Sequence, residues 1–184
     1  MATATKLLTI EEFAEIPNPP GGVYELFHGE LNFVPYPKVE HKDTLYNLRE
    51  LLSAIAGRGW TVREEYPYCP LGDHEQWAAD VAAVSLARHS QIVNWLQGAP
   101  ELVVEVLSPS NSAGEMIEKA AIALANGAIQ FWEVNTDKPR VRVTHRDGRS
   151  VLYSPGQTIP LDEVFGHGQL TVDAIFASDT APAE

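Results

Sequence analysis

The chain has 184 residues, 45% of them hydrophobic and 21% charged, proportions that exclude an intrinsically disordered or membrane-embedded class and suit one compact domain. A single cysteine, Cys69, rules out an internal disulfide, and the opening "MATATKLLTI" lacks the apolar core of a signal peptide or membrane helix, so a cytoplasmic setting without a membrane partner is expected. The formal net charge of −12 repels polyanions at long range and leaves only weak generic affinity for nucleic acid, although gathered acidic groups can hold divalent cations.

In chain order, "TIEEFAEIP" sets Thr9 three residues before Glu12, a capping box that opens a short helix ending before Pro17. "YELFHGELNFVPYP" reads as a hairpin turning at His28-Gly29. From His41 to Ala56, Leu45, Leu48, Leu52 and Ile55 recur at helical steps, and Gly57 supplies the stop. "WTVREEYPY" and "AADVAAVSL" read as strands joined by the loop "LGDHEQ", and residues 86–100 as an irregular or helical excursion. The near-continuous apolar run at 101–107 predicts a strand covered on both faces, ended by a Ser-Pro-Ser break. "SNSAGEMIEKAAIALANG" predicts a capped helix, "IQFWEV" a strand, and "RVRVTHRDGRSVLYS" a hairpin turning at Asp147-Gly148. "TIPLDEVFGHGQLTVDAIFA" is expected to be a loop-rich finish. The domain is placed at residues 1–176 and a disordered tail at 177–184. Grouped strands flanked by helices predict a central mixed β-sheet of the α/β (α+β) kind, with added β-hairpins.

Within the 101–107 strand sits a carboxylate, Glu105, at a place where valine would be more stable, because an unpaired buried charge costs several kcal/mol. Pairing it with Glu101 as a glycosidase dyad fails, since residues four apart on a strand lie roughly 13 Å from each other, beyond the ~5–9.5 Å that glycoside hydrolysis uses. Asp80, set among small apolar residues of another strand, is the better partner. Two acids on adjacent strands repel unless a cation or a proton lies between them, and Mg2+ or Mn2+ needs only one or two carboxylates beside a phosphate.

Phosphodiester hydrolysis also needs a cation for the developing negative charge, and Lys119 on the alanine-rich helix is a candidate; the alternative is a surface pair with Glu115 at i,i+4 spacing. His41, at a helix start, can donate to a phosphate or serve only as a surface residue. Glu25 and Glu30 straddle the hairpin turn as further ligands or as exposed strand residues, the latter reading being favoured for Glu30. Arg140 and Arg142 share one strand face, where they contact phosphate or simply charge an edge hairpin.

"YELFHGEL", "PKVEH", Asp80 in "AADVAAVS", and "GAPELVVEVLSPSNSAGEMIEKAAIALANGAIQFWEV" follow in order the hallmarks of the Uma-two family of restriction-endonuclease-like proteins, within the PD-(D/E)xK nuclease superfamily, and the chain resembles that family over about residues 7–176. The resemblance implies a restriction-endonuclease-like fold, with Asp80 and Glu105 as metal ligands, Lys119 as the catalytic cation, and His41 and Glu25 as supporting residues. Leu107 stands where the superfamily carries its lysine, and the resemblance implies that Lys119 has taken over from the helix. Ala79 replaces the usual proline before the aspartate, Ala123 the usual tyrosine four residues after the lysine, and "WEVNT" the usual Trp-x-Val-Asp-Pro. The expected activity is a Mg2+- or Mn2+-dependent endonuclease acting on nucleic acid, DNA first, as a homodimer. Its rival is a catalytically inactive interaction module that keeps the fold.

Overall fold

The computed structural model describes residues 6–108 and 111–177. Of the tail expected to be disordered, 177–184, residues 178–184 lie outside the described residues, as do two residues of the Ser-Pro-Ser break, Pro109 and Ser110.

Helix α1 (Ile10–Ala14) forms on its capping box, in which Thr9 and Glu12 each accept from the other's backbone N–H. Strands β1 (Gly22–Phe27) and β2 (Glu30–Pro35) make the predicted hairpin. His28 and Gly29 both take left-handed backbone angles, φ 52° and 74°, as a two-residue turn between right-twisted strands requires. Helix α2 (Val39–Ala56) starts two residues earlier than its apolar spacing indicates and stops at Gly57.

Strands β3 (Trp60–Cys69), β4 (Trp77–Ser85), β5 (Leu96–Gln97), β6 (Leu102–Val106), β7 (Gln130–Asn135), β8 (Arg140–His145) and β9 (Ser150–Tyr153) form one mixed sheet in the order β5-β3-β4-β6-β7-β8-β9. Its parallel pairs are β3 with β5 and β6 with β7, the second connected through helix α4 (Ala113–Ala125). The excursion at 86–100 holds the short helix α3 (Leu86–His89) and strand β5.

Two apolar layers sandwich the sheet. On one side Leu45, Leu48 and Leu52 of α2 pack on Val81, Leu102, Val104, Val106 and Trp132. On the other, Ala120, Ala123 and Leu124 of α4 pack on Ala82, Val103 and Phe131. Strand β6 is thus buried along its whole length, as its continuous apolarity predicts.

The expected loop-rich finish is more ordered than its sequence indicates. Strands β10 (Thr158–Pro160) and β11 (Gln169–Thr171) pair antiparallel, with short helices α5 (Asp162–Phe165) and α6 (Val172–Ile175) beside them. Ile159, Leu161, Leu170, Val172 and Ile175 join the α2 layer. The alternate steps Ile159/Leu161 and Leu170/Val172 and the helical step Val172/Ile175 are each too short to reveal a period, so the β10–β11 ladder and packing on the α2 layer fix the segment. No helix among the described residues is long and apolar enough to cross a membrane.

The return from α4 to the sheet is tight. Ala99 donates to the Asn126 carbonyl at 2.8 Å, and Gly127 follows at φ 131° with its missing Cβ position only 2.8 Å from the Ala99 carbonyl oxygen. Gly127→Ala is therefore expected to destabilise by about 1–3 kcal/mol in urea unfolding. Gly148→Ala, at φ 86° with open space around it, should cost only about 1 kcal/mol. Equal losses at both positions would contradict the steric reading of the α4 junction.

Candidate active site

Strand register decides which carboxylates meet. The antiparallel ladder of β4 and β6 pairs Ala83 with Leu102, Ala82 with Val103 and Val81 with Val104. One step further sets Asp80 opposite Glu105, on the same face of the sheet. The backbone ladder ends there, and the Asp80 side chain takes its place: its Oδ2 accepts from the Val106 N–H at 2.7 Å.

Glu105 is only 7% exposed, and its Oε1 has no hydrogen-bond partner among the described residues. Burial pushes its pKa well above the ordinary 4.5; Lys119 pulls the other way, while Asp80 and Glu25 add to the rise.

Helix α4 delivers the lysine. Its N-cap Ser112 accepts from the Glu115 N–H, and the turns that follow bury Met116, Lys119, Ala120 and Ala123. Lys119 is 3% exposed and donates to Glu25 Oε2 at 2.8 Å. Glu25, itself buried, receives the Ala78 N–H on Oε1 at 2.9 Å. The ammonium also stands 5.5 Å from the centre of the Trp77 ring. A surface pair with Glu115 is therefore not what forms.

Burial pulls the lysine's pKa down, but Glu105 and Glu25 overcome it and hold the pKa above the ordinary 10.5. Lys119 is thus a fixed positive charge and not a neutral base.

His41 lies in the first turn of α2, its Nε2 3.5 Å from Asp80 Oδ2. Lys38 at the N-cap makes no side-chain capping bond, and this turn, with the positive end of the helix dipole, stands beside Asp80. All five residues singled out from the sequence, Glu25, His41, Asp80, Glu105 and Lys119, come to one place through these contacts. Glu30 is exposed, as are Arg140 and Arg142 on β8.

Sequence reasoning passed over several neighbours. Parallel register places Glu133 of β7 beside Glu105, with Arg142 3.7 Å from its carboxylate. Glu75, in the segment predicted to be an ordinary polar loop, is 4% exposed and accepts from the Trp77 indole at 2.9 Å. His28 bridges Glu75 at 2.7 Å and Glu118 at 3.0 Å, tying the β1–β2 turn to α4. Nothing in the polar run "LGDHEQ" marks Glu75 as buried, because its burial follows from the hairpin folding over it.

Among the described residues no group of three or more His, Cys, Asp or Glu side chains is arranged to hold a metal ion. What the site offers is a two-carboxylate arrangement with one buried oxygen unsatisfied. That suits a hard divalent cation completing its shell with water and phosphate oxygens.

The model of the Uma2 family, described as "Putative restriction endonuclease", matches residues 10–173. The fold is similar to a crystal structure from Anabaena variabilis ATCC 29413 described as "a putative nuclease belonging to DUF820", with a TM-score of 0.79 at 20% identity, covering 92% of this chain and 97% of that one. Curated proteins gave no match.

Two outcomes follow from the electrostatics. Breaking the buried pair by Lys119→Met or by Glu25→Gln is expected to cost about 3–5 kcal/mol each, and the double substitution clearly less than the sum. Strict additivity in denaturant unfolding would show that the two groups do not depend on each other. A carboxyl whose folded pKa lies above its unfolded value binds its proton more tightly when folded. Its contribution therefore becomes less favourable as pH rises from 4.5 toward the folded value. Metal-free Glu105→Gln should accordingly gain stability over wild type on going from about pH 5 to about pH 8. A pH-independent difference would contradict the raised pKa.

Proposed function

Because the chain belongs to the Uma2 family and Asp80 and Glu105 lie one step beyond the last pair of the β4–β6 ladder, with Asp80 bound to the neighbouring Val106 N–H, we propose that it is a metal-dependent nuclease hydrolysing phosphodiester bonds of nucleic acid, with DNA as the first substrate to test. The observation that carries this reading is Asp80 set opposite Glu105 in register, with a buried, permanently charged lysine alongside.

Asp80 and Glu105 would hold the metal, Mg2+ or Mn2+. When bound, such an ion supplies the charge that acidifies a water molecule and steadies phosphate oxygens. The remaining chemistry belongs to the side chains. Lys119 presents a fixed positive charge toward the negative charge that develops on the phosphate, in surroundings poor in water where such a charge is worth most. Glu25 keeps that ammonium in place and, with Glu105, keeps it protonated.

His41 and the first turn of α2, with the positive end of the helix dipole, stand beside Asp80, where a phosphate would arrive. Cutting both strands of a duplex calls for two such sites, which supports a homodimer as the working assembly. The net charge of −12 favours the other reading, a non-catalytic interaction module with the same fold, because it opposes unassisted approach to DNA.

Nicking of supercoiled plasmid separates the two. Wild type is expected to nick in Mg2+ or Mn2+ and not in chelator, and Asp80→Ala, Glu105→Ala and Lys119→Ala should each lower the rate by on the order of a hundredfold or more. A folded wild-type protein that leaves plasmid and single-stranded nucleic acid intact with either ion would establish the module instead.

A further inference from the structure

The face of the sheet that carries Glu105 continues past the candidate site. Register aligns Glu105 of β6 with Glu133 of β7, Glu133 with Arg142 of β8, and Arg142 with Leu152 of β9, and residues paired in this way point to the same side. Alternation adds Arg140 and Thr144 on β8 and Ser150 on β9. The opposite side of β8 is closed, since Val141 and Val143 are fully buried in the α2 layer. On the Glu105 side, the apolar layer under α4 reaches Phe131 of β7 and goes no further among the described residues. Arg140, Arg142, Ser150 and Leu152 are exposed there.

Edge protection does not account for these arginines. Charged side chains guard a strand whose outer backbone is unpaired, but the sheet order makes β9 the edge and puts β8 inside it. The residues that β9 presents on this side, Ser150 and Leu152, are uncharged, whereas both arginines stand on the inner strand. Nor are the two occupied by the fold. Arg140 makes no hydrogen bond or ion pair among the described residues, and Arg142, its side chain 54% exposed, meets Glu133 alone, at 3.7 Å. The neighbouring Arg146 and Arg149 differ: Arg146 donates to the Ala128 and Gly127 carbonyls, and Arg149 to Glu163.

We propose that this open face of β8 and β9 seats the phosphate backbone of a DNA duplex beside the candidate active site, with Arg140 and Arg142 as its phosphate contacts. The identity of the partner rests on the nuclease reading; the surface itself rests on register and charge. Two strand spacings of ~4.8 Å set Arg142 roughly 10 Å from Glu105, about three nucleotides of duplex at ~3.4 Å each. It would therefore meet a phosphate to one side of the bond attacked. A guanidinium fork matches phosphate oxygens, and the Thr144 and Ser150 hydroxyls on the same face add neutral donors. Glu133 approaches Arg142 at Nε and restrains the guanidinium without covering it. These two strands present no aromatic ring on this side for stacking unpaired bases, which favours a duplex over a single strand. Two unoccupied arginines on one face supply a local attraction that a chain of net charge −12 lacks as a whole.

Fluorescence anisotropy of a labelled DNA duplex in Ca2+, titrated at several salt concentrations, tests the surface apart from cleavage; thermal unfolding serves as the check on folding. Arg140→Gln and Arg142→Gln are each expected to weaken binding about three- to tenfold and to lower the slope of log Kd against log salt by about one. Arg58→Gln, the same loss of charge at an exposed position just beyond α2, should change neither. In plasmid nicking the two β8 variants should raise KM and leave kcat unchanged. Duplex binding in this pattern by a wild type that nicks nothing would support the surface and sink the nuclease reading. No duplex binding by wild type, or β8 variants that keep its affinity and salt slope, would overturn the proposal; in the second case a wild type that nicks plasmid leaves the nuclease reading standing.

Discussion

An ammonium group almost wholly withdrawn from water links a helix, a hairpin and the central sheet: Lys119 of α4 reaches the β1–β2 hairpin at Glu25, and Glu25 in turn accepts from the backbone of β4 at Ala78. The ion pair adds to the His28 bridge to Glu118 and to the reciprocal Leu26–Gln76 backbone hydrogen bonds that also hold the hairpin in place. Such a pair forms only at the cost of desolvating both charges, and a hydrophobic replacement is often the more stable choice. Its persistence beside Glu105 and Asp80 makes sense when the positive charge is needed where it stands.

The neighbourhood of that pair is unfavourable in a second respect. Glu105 and Glu25 stand by one lysine, Asp80 acts on Glu105, and His41 lies at the margin beside Asp80. Burial and like charge both lift the pKa of Glu105, so the folded chain carries an electrostatic debt that a bound cation would relieve. The sheet makes this possible: β6 is buried along its whole length, and its Val106 N–H holds Asp80 of β4. A stable core therefore supports a costly site, the usual relation between scaffold and function.

Much of the architecture was legible because it rests on local chemistry. The Thr9–Glu12 box, the His28-Gly29 turn and the leucine spacing of α2 each specify an element without help from distant residues. The site was legible for a related reason: Glu105 and Asp80 interrupt apolar strands, and Lys119 interrupts an alanine-rich helix, so each is conspicuous as a polar residue out of place. Glu75 offered no such contrast, lying as it does in a polar run. The paired β10 and β11 strands escaped because three residues each are too few to display a period. Cross-strand register, which brings Asp80 to Glu105, is a property of the assembled sheet and not of either segment.

The central claim is that Glu105 is tolerated in a buried strand because, with Asp80, it grips a divalent ion. Calorimetric titration of Mn2+ into the metal-free protein tests it most directly. One binding event in wild type, lost in both Asp80→Ala and Glu105→Gln while the fold is retained, is the expected result. Absence of any binding heat in wild type, or binding that survives both substitutions, would contradict it.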